Sequence, residues 1–591
     1  MFLRKTERRK NGKAHLYWSV VENRRLDDGR VVQRHVLYLG EINSSQAEAW
    51  RRAVEVFDED EGRPRSLSLF PEDRCETPAG DDVIRLRLSE MRLRRPRQFG
   101  ACWLSGVLWR ELQLDRFWAE RLPANRKGTR FDRVLQVLAI YRLISPGSEW
   151  RLHRQWFLDS AMADLMGGDF GLAEAHKLYA CHDLLLAHKQ DLFSHLTQRW
   201  RDLFNASFDV LLYDLTSTYF EVNAADLPEG SKRRHGYSRD KRPDCPQLVI
   251  ALVVTPEGLP LAYEVLPGNT ADSKTLRAFL AKIESQYGKA RRVWVMDRGV
   301  PTEAILAEMR AADPPVNYLV GTPKGRLNRL EKQLIDKPWR RAREGVEVKL
   351  LAQQEELYVY AQSADRVNKE RAMRRRQLKW LWARLKKLAL MQITREERLM
   401  KLGAARSKAP SAWRLVKTQV DKNTGALSFS LDRKSLRKAR RREGRYLLRT
   451  NLTEGDPAVL WQYYVQLVSV EEAFKNLKGD LAIRPIFHQS EERIEAHIFV
   501  AFLAYCLHVT LTRRLHGLAP GLTARSALAK FATVQMIDVH LPTTDGREIV
   551  LTRYTEPERD LRLLIDRMNL ALPAQPPPKI APAALPSEPS L

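Results

Sequence analysis

Apolar runs rich in β-branched and aromatic residues occupy 15–21 and 31–39, on either side of the polar stretch Asp27-Asp28-Gly29. Two such runs of strand-forming residues around a polar, Gly-containing turn predict a β-hairpin near the start of the chain. A helix is expected over 44–56. The acidic residues 58–80, which contain Pro and Gly, read as a linker. From residue 100 to about 204 the period changes. Apolar side chains recur at three- and four-residue steps, as over 131–143 and 182–203, which predicts helices, with Pro146-Gly147 interrupting the region. No single helix there reads as a helix-turn-helix.

The pattern then switches to strands over 208–214, 247–254, 260–266 and 291–297. Thr255-Pro256-Glu257-Gly258 joins the second and third as a hairpin turn. Helices over 273–287 and 302–312 and a strand over 316–320 fall among them. Strands followed by alternation with helices predict a mixed α/β sheet. Residues 325–445 differ: 371–387 is strongly basic, while 350–361, 411–419 and 425–431 read as strands, so a β-rich insertion is expected. A strand over 445–450 leads to a helix carrying Glu471, and an apolar helix over 494–511 follows. A hairpin around Thr543-Thr544-Asp545-Gly546 and a helix over 557–568 come next, and the Pro/Ala-rich residues 572–591 are expected to be disordered. The expected divisions are therefore a hairpin and helix region (1–60), a linker (61–99), a helical and possible DNA-binding domain (100–205), a first core part (206–324), the insertion (325–445), a second core part (446–515), a C-terminal helix and hairpin region (516–571) and the tail (572–591).

Composition adds a partner. The 591 residues are 44% hydrophobic, enough for several cores. Lys and Arg number 99 against 73 Asp and Glu, a formal charge of +26, which implies a polyanion, and nucleic acid is the natural one. Five scattered cysteines without a Cys-x-x-Cys pair argue against a disulfide framework or a zinc ribbon and fit a reducing cytoplasm. The charged N-terminus lacks the apolar core of a secretory signal, and the apolar run 498–511 is too short to span a bilayer, so no membrane association is expected.

Candidate chemistry rests on three carboxylates. Asp214 and Asp297 each close an apolar strand-like run, and a carboxylate on a rigid strand is suited to hold a metal. A turn or N-cap aspartate is the plainer reading of each. Gly299 would let the chain turn sharply beside Asp297 and leave room for a phosphate. Tyr464, Glu471 and Lys478 are seven positions apart, and at ~100° per residue they share one helical face. Three hard oxygen donors favour Mg2+ or Mn2+, and two ions could activate an attacking oxygen and stabilise a leaving one. Arg298 reads either as a phosphate clamp or as a surface ion pair. His235 and Arg239, in the basic loop 231–242, read either as DNA contacts or as a solvated loop. His488 and His497 lack metal-ligand spacing and read as structural hydrogen-bonding residues.

The order strand-Asp, strand-Asp, basic insertion, helix-Glu resembles the DDE-class transposases of bacterial insertion sequences. It is most similar to the branch with a β-rich insertion and a Tyr-(2)-Arg-(3)-Glu-(6)-Lys motif. The matching residues are Tyr213-Asp-Leu-Thr-Ser-Thr-Tyr-Phe-Glu221, Val295-Met-Asp-Arg-Gly-Val300, Tyr464 through Lys478, Ile483-Arg-Pro-Ile-Phe-His488 and Glu492-Arg-Ile-Glu-Ala-His497. The resemblance spans about 206–510. It implies an RNase H-like core with Asp214, Asp297 and Glu471 as catalytic and metal-binding triad. It further implies Mg2+-dependent cleavage and strand transfer at terminal inverted repeats, double-stranded DNA at element ends and target, a homodimer on DNA, and a place in the cytoplasm at the nucleoid. One position departs from the motif: the Arg three after Tyr464 is Leu467. Lys475 or Arg484 takes over its phosphate contact, or the role is absent. Glu472 competes with Glu471 as ligand. Trp380, Trp382 and Trp413 are the insertion's candidates for stacking on a flipped base, against core packing as the other reading. The alternatives to a transposase are a related nuclease that cuts without joining and a DNA-binding relic without catalysis.

Overall fold

The computed structural model describes residues 2–581 apart from 11–12, 26–29, 42–54, 59–62, 67–83, 126–127, 241, 288–291, 298–299, 323–329, 331–332, 334–336, 354, 423, 453–455, 467–470, 472, 482 and 485. The chain divides into two compact units. One comprises Met1–Ser207, Thr216–Asn269 and Glu471–Leu591; the other comprises Phe208–Leu215 and Thr270–Val470.

The first unit opens with a three-stranded antiparallel sheet, Phe2–Lys10, Lys13–Arg25 and Val31–Glu41. The last two are the expected hairpin; the charged first strand carries no apolar alternation to reveal it. Of the expected helix over 44–56, residues 44–54 lie outside the described residues, and Glu55–Asp58 is a strand paired with Arg63–Ser66. The span 61–99, read as a linker, supplies that second strand and also Arg92–Gln98, which pairs with Gln535–Pro542 in a sheet completed by Glu548–Tyr554 and Lys579–Ala581. The last of these strands lies in the tail expected to be disordered; it is ordered by edge pairing with Glu548–Tyr554, and residues 582–591 lie outside the described ones.

Helices fill 100–204 as expected, among them Phe131–Ile144, Ala175–Leu185 and Lys189–Phe204. They pack around Glu491–Leu518, whose first turn is capped by the Ser490 hydroxyl accepting from the Arg493 amide. That helix is long and apolar enough to cross a membrane, yet 94% of its apolar window is buried among the other helices and strands. The hairpin Gln247–Val254 and Pro260–Pro267 belongs to the same unit, and Gly258 takes the left-handed conformation its turn requires (φ +85°). Cys102, Cys181, Cys245 and Cys506 are buried and free.

The second unit is a mixed sheet. Its strands run in the order Arg340–Arg343, Val346–Gln353, Glu356–Ser363, Arg445–Thr450, Asn317–Gly321, Val293–Met296, and then residues 210–215 of Val210–Tyr219. The first four and Asn317–Gly321 pair antiparallel, and the last three are parallel, connected through the helices Asp272–Tyr287 and Glu303–Ala311. A large mixed α/β sheet was expected, and this is one.

The insertion is not β-rich beyond its sheet-edge strands. Residues 350–361, read as one strand, are parts of two, Val346–Gln353 and Glu356–Ser363. Most of 364–441 is helical: Ala364–Leu390, Arg395–Lys408, Pro410–Trp413 and Arg433–Arg441, with one small hairpin, Val416–Val420 and Leu427–Leu431. Leu381, Leu385 and Leu388 lie at helical spacing and are fully buried, while the basic residues between them face solvent. Pro410 at the first helical position starts a turn where a strand was expected over 411–419.

Candidate active site

Parallel pairing fixes the two aspartates. Val293, Trp294, Val295 and Met296 oppose Val210, Leu211, Leu212 and Tyr213 in register. The next residue on each chain is an aspartate, so Asp214 and Asp297 stand side by side on neighbouring strands, which are ~4.8 Å apart. Tyr213 points into the core: its ring lies 5.2 Å from that of Phe279, and its hydroxyl is 2.7 Å from Thr275 Oγ1. Both partners sit on Asp272–Tyr287, so by alternation Asp214 faces away from that helix. Asp297 is exposed and Asp214 half-buried. Asp214 does not end its strand, as the apolar run suggested, but lies within Val210–Tyr219, because the threonines and serine that follow keep the extended backbone.

The far side of this sheet is clamped by a buried ionic network. Glu356 accepts from the Tyr318 hydroxyl, Tyr358 Oη (3.2 Å), Arg310 (2.9 Å) and Arg449 Nε (3.1 Å). Arg449 also grips both oxygens of Glu303, at 2.7 and 2.9 Å. Burial, with Glu356 beside it, pushes the Tyr318 phenol up to about 12. The strands carrying Tyr318, Glu356 and Arg449 are thus tied together, and the Tyr318 strand pairs with the strand ending at Met296.

The row Tyr464, Glu471, Lys478 does not lie on one continuous α-helix among the described residues. Tyr464 belongs to Pro457–Val465 and packs against Tyr446 (6.3 Å) and Trp461 (6.1 Å). Leu467, Val470 and Glu472 lie outside the described residues, as does Arg298. Glu471 is exposed at the start of the following helical segment, Lys475 is exposed on it, and the backbone of Lys478 lies in a π-helical turn, Asn476–Asp480, whose wider winding breaks a 100° repeat.

Arg484 sits over the Tyr219 ring (4.6 Å) and pairs with Asp240 (3.3 Å). Arg242 covers Tyr219 as well, at 4.9 Å. Sequence reading passed over Tyr219, although it lies inside the first quoted motif. In the loop 231–242, the Arg239 amide donates to Ser217 Oγ (3.1 Å) and exposed His235 meets the Pro243 carbonyl (3.3 Å). In the insertion, Trp380, Trp382 and Trp413 are half-buried on its own hydrophobic core, with Trp382 edge-on to Phe429 at 4.9 Å.

A mixed sheet carrying adjacent aspartates in a strongly basic chain defines a class of acidic-site α/β proteins. Comparison narrows the class: the chain belongs to the insertion-sequence DDE transposases, since the transposase DDE domain family matches residues 209–507 and the N-terminal domain of the IS1634 family transposases matches residues 3–65. The resemblance expected from the motifs is borne out. No curated protein matches. A cryo-EM structure of the piggyBac transposase synaptic complex with hairpin DNA aligns with 8% identity over 76% of this chain and 82% of that one, at a TM-score of 0.35, too low to establish a common fold.

Proposed function

We propose that this protein cuts and rejoins DNA at the ends of its own insertion sequence, with Asp214, Asp297 and Glu471 as the catalytic carboxylates on an RNase H-like core. The observation that carries this is the register that puts Asp214 beside Asp297. Both side chains offer only hard oxygen donors, and one is exposed to solvent, which suits a divalent cation such as Mg2+. Asp214, Asp297 and Glu471 would hold one or two such ions. When bound, they would supply Lewis acidity toward the phosphodiester and toward the attacking oxygen.

The chain's own residues do the rest. The paired strands hold two acceptors at fixed spacing, and the Glu356 network keeps that sheet from shifting. Lys475, Lys478 and Arg298 would bind phosphates near the scissile bond. Arg484 and Arg242, both over the Tyr219 ring and paired with Asp240 and with Asp244 and Glu221, would exchange those carboxylates for the DNA backbone. Double-stranded DNA is the substrate, both as element end and as target, and joining two ends calls for two copies of the chain.

The test uses linear DNA bearing the inverted repeats that flank the coding region, full-length protein and Mg2+. Wild type should nick at the repeat and then join the freed 3′ end to a second duplex. Asp214→Ala, Asp297→Ala and Glu471→Ala should each abolish nicking while retaining binding to the repeat. Nicking at normal rates by Asp297→Ala would overturn the assignment, and nicking without joining would reduce the protein to a nuclease.

A further inference from the structure

The helices of the first unit bring together four side chains that lie far apart in the sequence. Glu149 is in the first turn after Ser148, whose hydroxyl accepts from the Arg151 amide. His182 lies on Ala175–Leu185, His488 just before the Ser490 cap, and His497 on Glu491–Leu518. Glu149 Oε1 is 3.3 Å from His182 Nε2, 3.3 Å from His488 Nε2 and 3.3 Å from His497 Nδ1. All four side chains are at most 4% exposed. The candidate ligand atoms of Glu149, His182 and His488 lie within 4.8 Å of one another.

A hydrogen-bonded hub accounts for part of this. His488 Nε2 and His497 Nδ1 meet Glu149 with hydrogen-bond geometry. His182 is held less well: its Nε2 lies 3.3 Å from Glu149 Oε1 but outside good hydrogen-bond geometry, and Nδ1 has no hydrogen-bond partner, although the side chain is only 1% exposed. A neutral imidazole always carries one N–H, and burying such a group unpaired costs about 1–3 kcal/mol. Nε2 aims at the same oxygen as His488. Donor atoms 3.3 Å apart are also what tetrahedral coordination gives, since ligands at ~2.0–2.1 Å from zinc are separated by roughly 3.3–3.4 Å.

We propose that Glu149, His182 and His488 form a three-ligand metal site of the zinc class, a water completing the tetrahedron, with His497 as a positioning residue donating to Glu149. Imidazole nitrogens with one carboxylate select Zn2+ over Mg2+, and His497 plays the part of an outer-shell partner orienting a ligating carboxylate. The Arg142 guanidinium stands 3.9 Å from Glu149 Oε1, as a longer ion pair beside the three histidines. The site staples residue 488, downstream of Glu471, to the helical region at residues 149 and 182. It is independent of Asp214 and Asp297. Spacing along the chain hid it, because His488 is more than three hundred positions beyond Glu149 and His182 and only folding brings the three together.

Purified full-length protein, stripped with a chelator and dialysed, is titrated with Zn2+ alone and, separately, with Co2+ alone. About one ion per chain should bind, Co2+ should give the visible absorption of a tetrahedral site, and the melting temperature should rise with either metal. His182→Ala and His488→Ala should lose the absorption and the metal-dependent rise, whereas Asp214→Ala should keep both. His497→Gln should retain stoichiometry and bind about 10–100-fold more weakly. If a variant fails to accumulate folded, the wild-type Co2+ spectrum decides alone. Wild type without that spectrum, or His182→Ala binding as wild type does, would overturn the site and leave the Asp214/Asp297 reading untouched.

Discussion

Met296 pairs with Tyr213 across two parallel strands, and the residue after each is an aspartate. Register, not proximity in sequence, therefore sets the spacing of the two carboxylates. Asp297 is exposed and lies just past its strand, so its side chain supports little of the fold. Asp297→Asn should change unfolding free energy by no more than about 0.5 kcal/mol. On the proposed function it should slow DNA nicking by roughly a thousandfold or more, since a lost metal ligand removes several kcal/mol of charge stabilisation. Thermal melts and a nicking assay on one preparation check both halves. A folded variant that still nicks would separate the register from the chemistry.

Glu356 is the acceptor shared by Tyr318, Tyr358, Arg310 and Arg449. Removing it strands cations in a largely buried place, whereas removing one donor leaves the rest in position. Glu356→Ala should therefore cost about 3–5 kcal/mol. Tyr318→Phe should cost only about 0.5–1.5 kcal/mol. Urea unfolding of the two variants checks the order, and equal effects would show that the network is not centred on Glu356.

How far these features were legible depends on the range of the interactions. The hairpin Gln247–Val254 and Pro260–Pro267 is a continuous apolar run bounded by a turn needing Gly258, so local pattern sufficed. The helix Glu491–Leu518 was legible over its buried stretch for the same reason. The helix Ala364–Leu390 was not: its leucines keep helical spacing, but basic residues outnumber them and mask the period. Arg92–Gln98 holds one apolar residue, Leu93, and is a strand only because Gln535–Pro542 pairs with it. The strands leading to both aspartates were legible as apolar runs, whereas the roles proposed for Asp214, Asp297 and Glu471 rest on the resemblance. Tyr464 and Lys478 were assigned to a common face by a helical repeat that the π-turn at Asn476–Asp480 does not follow. Long-range convergence, as at Glu149, leaves no local trace.

Arg97 and Asp538, 441 positions apart, are joined by two buried hydrogen bonds of 3.0 Å, and Arg97 also reaches Asp164 at 2.9 and 3.2 Å. Burial alone would raise the Asp538 carboxyl; the hydrogen bond and charge of Arg97 outweigh it and hold the group below its ordinary value. A carboxyl depressed in the folded state contributes stability that is present above its unfolded pKa, ~3.9, and lost as pH falls through the folded value. Asp538→Asn should cost about 3 kcal/mol at pH 7, because Arg97 keeps Asp164. Below about pH 4 the gap between wild type and variant should narrow. Denaturant midpoints at pH 7 and pH 3 check this, and a gap that widens on acidification would refute it.

On the proposed function, the basic face of Ala364–Leu390 is a candidate for contacting DNA. Arg375, Lys379, Trp382 and Lys386 fall on one stripe at helical steps of four, three and four, and the three basic residues are exposed. Leu378, Lys379, Trp382, Ala383, Lys386 and Leu431 line a groove of about 460 Å³ beside it. Trp382 is anchored edge-on against Phe429, so the stripe has a rigid support rather than a mobile one. If it lies along a DNA backbone, each basic residue displaces a condensed counterion, and affinity falls with salt by a log–log slope of about 0.9 per phosphate neutralised. Changing Arg375, Lys379 and Lys386 together to Gln should then flatten that slope by about 2–3 and weaken specific and non-specific duplexes alike. Melting should hardly change, since the leucines of the opposite face are untouched. Anisotropy titrations from low to moderate salt measure the slope. An unchanged slope with intact folding would move the DNA path off this helix and onto the other basic surfaces of the protein.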